Sequence, residues 1–183
     1  MKFFKRIVLA FSLFSQFVVA IENNVDIYGP LVDEITSSFT KDMLKNYDMT
    51  CDLAGGSMPY DVEILGYGFN GCKQLQIEEA RSLIIKWSED LIRKVNANEK
   101  IRPYLHNYPF TNKNINLAID LEIVNGGTKY PVDPPYIAFI ILTHGKIRYS
   151  VYDEENSFLN SFKGKTVLIE TYEEAFKIES EKL

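Results

Sequence analysis

The chain has 183 residues, is 46% hydrophobic and 13% aromatic, and carries 20 Lys and Arg against 25 Asp and Glu, for a formal charge of −5. That is the make-up of a globular protein long enough to bury a core. The acidic balance, with no basic cluster in the body of the chain, excludes nucleic acid and anionic lipid as expected partners, because both are held by clustered Lys and Arg.

The first twenty residues read as a targeting segment. Lys2, Lys5 and Arg6 give a basic start, Ile7 to Ala20 an apolar run, and "VVA" a small-residue cleavage site. The run is shorter than a membrane span requires. Cleavage after Ala20 would leave residues 21–183 as one domain of formal charge −8. No second long apolar run follows, so no stable membrane insertion is expected after cleavage. The mature chain is expected to be secreted or periplasmic.

A polar entry, Ile21 to Gly29, leads to a helix expected from Pro30. Leu31, Ile35, Phe39 and Met43, with Val32, Leu44 and Tyr47, form its apolar stripe. "YDMTCDLAGGSMP" breaks that helix. "YDVEILGYGFNGC" reads as a strand whose alternation shifts at Leu65–Gly66, where a bulge is expected. The strongest element is "IEEARSLIIKWSEDLIRKVNAN", with one apolar face from Ile77 to Val95.

After the connector "NEKIRPYLHNYPF", the run from Ile115 to Ile123 alternates as the clearest strand. "NGGTKYPVDPP" is a Gly- and Pro-rich connection, "YIAFIILT" a buried-type strand and "HG" a tight turn. "KIRYSVYD" alternates again, with Ile147, Tyr149 and Val151 inward. Its outward Lys146, Arg148 and Ser150 either face Asp120 and Glu122 across the sheet or simply solvate an outer face. "KTVLIETYEEAFKIES" holds a short strand and a terminal helix, with Thr171 and Glu174 as a capping box. Short-linked strands pair antiparallel. The expected fold is therefore α+β and two-layer, an antiparallel sheet of about four strands packed against two to three helices.

Two cysteines, Cys51 and Cys72, fall in the expected mature chain. In an exported protein an isolated pair is most simply a disulfide, closing a loop of about twenty residues and contributing ~3 kcal/mol; two free thiols are the alternative. A Cys/His zinc site from Cys51, Cys72, His106 and His144 lacks the close ligand spacing such sites use. Neither a metal nor a cofactor is expected.

"GGSMPYDVE", "IEEAR", "NANEKIRPYLHNYPF" and "YEEAFKI", in that order, resemble a family of small exported proteins of intracellular bacteria that has no assigned activity. The resemblance covers most of the mature chain. It implies one exported domain and supplies no catalytic residue.

Standard catalytic signatures are missing from the sequence: no G-x-S-x-G, no H-E-x-x-H, no phosphate-binding glycine loop. "GYGFNG" lies within a strand and lacks the lysine and helix start that hold phosphate. A Cys–His nucleophile from Cys51 or Cys72 with His106 or His144 needs the two to meet in space. Asp61, Glu63, Asp120 and Glu122 have strand spacing suited to an acid/base pair, or to a solvated strand face.

The connector holds the ligand-binding candidates. Arg102, Tyr104, His106 and Tyr108 alternate, so an extended chain would project them from one side as a lip for an anion or peptide. The competing reading is a stiff corner. There Pro103 ends the helix, Pro109 sets the entry to the next strand, the aromatics fill the seam and Arg102 caps helix-end carbonyls. The function expected is a non-enzymatic binding or interaction domain for a protein or small ligand. The alternative is an extracytoplasmic hydrolase with a site assembled from dispersed residues.

Overall fold

Hydrophobic periodicity separates helices from strands along this chain, and the computed structural model, which describes residues 28–153 and 164–182, follows that division. Residues 28–47 form α1. The elements after it are β1 (Thr50–Ser57), β2 (Ile64–Gly71), α2 (Ile77–Ala97), β3 (Ile115–Asn125), β4 (Thr128–Pro131), β5 (Phe139–Thr143), β6 (Lys146–Tyr152), β7 (Gly164–Thr171) and α3 (Tyr172–Ser180). The targeting segment and its cleavage site lie outside the described residues.

The class is α+β, but the sheet is larger and more mixed than expected. Seven strands replace about four, in the order β1-β2-β3-β5-β6-β7, with β4 pairing the far end of β3. β2 and β3 run parallel; the other pairs are antiparallel. The reason is α2, which separates β2 from β3 and carries the chain back along the sheet, whereas antiparallel pairing needs only a short turn. β4 lies in the segment expected to be a connection.

β1 lies in the segment expected only to break the first helix. Gly56 serves close packing: a Cβ there would sit 2.0 Å from the Ile64 carbonyl oxygen. The expected bulge is also misplaced. β2 keeps one alternation, with Leu65, Tyr67, Phe69 and Gly71 inward. The irregularity falls instead on β1 between Cys51 and Leu53. In β6, Ile147 and Tyr149 are buried as expected, but Ser150 is buried too and Val151 only half-buried. A register shift against β7 at Tyr149/Ser150 breaks the alternation. β5 lies between β3 and β6, so Arg148 pairs with Ile141 and does not meet Asp120 or Glu122 directly.

The helices cover one face of the sheet. From α1, the Phe39 ring meets Tyr67 at 5.3 Å and Phe69 at 5.7 Å; from α2, Trp87 meets Phe69 at 5.2 Å. Ala80, Ile84, Trp87, Leu91 and Val95 of α2 are buried, on the face that the sequence marks as apolar. Each large side chain so buried stabilises the fold by ~1.5–3 kcal/mol. Leu44, expected on the α1 stripe, is exposed. The capping box from Thr171 to Glu174 opens α3. Tyr172 Oη of α3 donates to Glu89 of α2 at 2.5 Å. A buried ion pair, Arg81 to Glu170 at 2.8 Å, ties α2 to β7.

Cys51 and Cys72 are free thiols, correcting the expected disulfide. The ladder explains why. Cys51 stands opposite Phe69, three residues short of Cys72. At ~3.3 Å per residue that offset exceeds the Cα separation a disulfide spans.

Candidate functional site

The connector is not one extended edge. Asn98 ends α2, its Oδ1 accepting from Lys100 N at 3.0 Å and Ile101 N at 3.3 Å, so the helix stops ahead of Pro103. Arg102–Tyr104 then forms a 3-10 turn. That turn divides the four candidate residues, because alternation projects side chains together only in extended chain. The Arg102 guanidinium lies over the Tyr108 ring at 4.8 Å and donates to the Asn96 carbonyl at 3.3 Å, near the helix end. Tyr104 is half-buried against Tyr28, with ring centroids 6.2 Å apart. Tyr108 is exposed; Ile101, Leu105 and Phe110 are the buried residues of the seam. Asn96 clamps Phe110, accepting from its N at 2.8 Å and donating to its O at 2.9 Å.

His106 points elsewhere. Leu105 and Val62 form a parallel bridge in which Val62 N donates to the Tyr104 carbonyl at 2.7 Å and His106 N to the Val62 carbonyl at 3.1 Å. The bridge sets His106 beside the two carboxylates that flank Val62. Its Nδ1 lies 3.0 Å from Asp61 Oδ2, and Ser57 Oγ donates to Glu63 Oε2 at 2.8 Å. One ligand atom from each of Asp61, Glu63 and His106 falls within 4.8 Å of the others. Two carboxylates and an imidazole are a donor set that suits a divalent transition metal. The trio is open to solvent, with half of the His106 side chain exposed.

The other expected constellations do not assemble. Asp120 and Glu122 lie on β3, where Lys129 Nζ reaches Glu122 at 2.9 Å, so the four carboxylates form no common site. His144 sits in the β5–β6 turn with φ 49°, its Nδ1 2.9 Å from Thr143 Oγ1. Burial pushes the Cys51 thiol up, which lowers its thiolate fraction, the wrong direction for a nucleophile.

The face of the sheet away from the helices exposes apolar side chains. Strand register aligns Leu53, Gly68, Ala118, Ile141, Arg148 and Ile169 in one row across six strands. Leu53 is 67% and Ile169 60% exposed. Glycine and alanine keep the floor between them low. A groove of about 620 Å³ results, lined by Leu53, Gly55, Gly66, Asn116, Ala118 and Ile141 among others. β1 is the outermost strand on this side, so among the described residues its outer main-chain groups face no further strand. At one end of β1, Asp52 bonds Asn70, which also accepts from Lys129 at 3.3 Å. Partial desolvation first, then the neighbouring Glu122 and Asp52 charges, hold the Asp120 carboxyl above its usual range. At the other end, Ser57 lines the groove and bonds Glu63.

No family model, curated protein or solved structure matches this chain.

This face went unmarked by motif reading, although a signal was present. In "ILGYGFNG" the glycines alternate with Tyr67 and Phe69, so one side of the strand is apolar and the middle of the other is bare. A glycine-alternating strand leaves a shallow, uncovered surface where another chain can approach. Among the described residues no helix is long and apolar enough to cross a membrane.

Proposed function

We propose that this chain is an exported, non-enzymatic binding domain that takes an extended polypeptide along β1, with alternate side chains of the guest lying at the β1 margin of the outer-face groove, beside Leu53 and Gly55. The observation that carries this reading is the row from Leu53 to Ile169 beside β1, which among the described residues is an edge strand. An unpaired edge offers main-chain hydrogen bonds, and pockets for alternate side chains add selectivity. Export rests on Lys2, Lys5, Arg6 and the apolar run to Ala20. The secreted chain should have the mass of residues 21–183; a mass that retains Met1 refutes cleavage.

The alternative, an extracytoplasmic hydrolase, draws support from the meeting of Asp61, Glu63 and His106. Catalytic groups ordinarily sit in a concave pocket that excludes water. The exposure of His106 favours the binding reading over it.

Amide hydrogen exchange tests the binding reading. The probe is a capped peptide of about nine residues that alternates Val and Thr, a length typical of strands. Protection gained in Thr50–Ser57 on adding the peptide supports it. Protection confined to the cleft between α1 and α2, lined by Met43, Tyr47 and Ile92, places binding on the helices and refutes it.

A further inference from the structure

The binding reading leaves the chemistry of the guest open, and the charges around β1 narrow it. β1 is 8 residues long, and a strand laid beside it spans about the same ~3.3 Å per residue. Both ends of that span carry carboxylates. Asp52 and Asp120 stand at the Thr50 end, Glu63 and Asp61 at the Ser57 end. Among the described residues none of these four has a Lys or Arg within ion-pair distance. Asp52 receives only the Asn70 amide, Glu63 the Ser57 hydroxyl, and Asp61 the His106 ring. Glu122 differs, because Lys129 already pairs with it. Between the two acidic ends the surface is Leu53, Gly55, Gly66, Ala118 and Ile141.

Resting on the binding reading above, we infer that the occupant of this face is an extended polypeptide segment with basic residues at its two ends and apolar or β-branched residues between them. A flanking Lys or Arg would stand near Asp52 at one end of β1 and near Glu63 at the other, neither of which has a Lys or Arg within ion-pair distance among the described residues. The alternate central side chains would lie against Leu53 and Gly55 at the groove's β1 margin. An acidic segment would bring like charges together at both ends, which disfavours it by several-fold or more and steers the encounter toward basic chains.

Two capped peptides of about nine residues decide the matter, each alternating Val and Thr in the middle, one with Lys and the other with Glu at both ends. Each is titrated into the intact protein by calorimetry at low and physiological salt. The Lys-ended peptide should bind at least about tenfold more tightly, with the preference shrinking as salt screens it. In the Asp52→Asn/Glu63→Gln double variant, whose changed groups are part-exposed, the preference should fall to within about threefold. Equal affinity of the wild-type protein for both peptides overturns the charge inference and leaves the binding reading standing. Binding of neither overturns both.

Discussion

Asp120 shows how much a single position on the outer face contributes to the whole. Its side chain is exposed, and partial desolvation by its surroundings, then Glu122 and Asp52, raise its folded-state pKa. The folded protein therefore holds the Asp120 proton more tightly than the unfolded chain. In the window from the ordinary value of 3.8 up to the raised one, the native state binds more protons, so stability falls as pH rises through it. Asp120→Asn should raise the melting temperature at pH 7 and lose that advantage as pH falls toward the reference carboxylate value. Paired thermal melts across that range check it, and an unchanged difference at all pH values refutes it. The same carboxylate was legible in the sequence only as one member of an alternating strand. Its neighbour Asp52 lies on β1, and nothing local links positions so far apart in the chain. His106 was likewise visible as a candidate, but its partners Asp61 and Glu63 come from the other side of α2. Arg102 at the helix end could be read from spacing. The division of Tyr104 from Tyr108 could not, because a 3-10 turn replaces the extended chain that alternation assumes.

At the scale of elements, α2 and β3 were legible because their apolar periods are long and unbroken. β1 was not. "TCDLAGGS" has few β-branched residues and an adjacent glycine pair, and its strand state comes from pairing with β2 rather than from propensity. The two cysteines looked paired in sequence and are separated by that same register. The contact that ties the helical layer to the far edge of the sheet was also invisible locally: Arg81 and Glu170 are 89 positions apart. Arg81 lies within a stretch that reads as amphipathic helix, and nothing in its spacing marks it as buried. Removing one member of a buried pair leaves the other charge without compensation. Arg81→Ala should therefore destabilise the protein by about 3–5 kcal/mol, measured by chemical denaturation. A loss below about 1 kcal/mol, the range of exposed pairs, contradicts the structural role assigned to it.

Across the whole molecule, the number of strands and the parallel β2–β3 pair were missed for one reason. A helix between two strands turns the second to run alongside the first, and the sequence shows that order without showing which strands become neighbours. The consequence for function is large. Among the described residues, three helices on one face leave the other face uncovered from Leu53 to Ile169, with β1 as an edge strand. Amide hydrogen exchange on the full protein, with and without the Lys-ended peptide, tests that consequence most directly. Slower exchange in Thr50–Ser57, with the helix amides unchanged, is the expected result. Calorimetric binding of the peptide with no slowing in Thr50–Ser57 contradicts the assignment of β1 and the outer face as the binding surface.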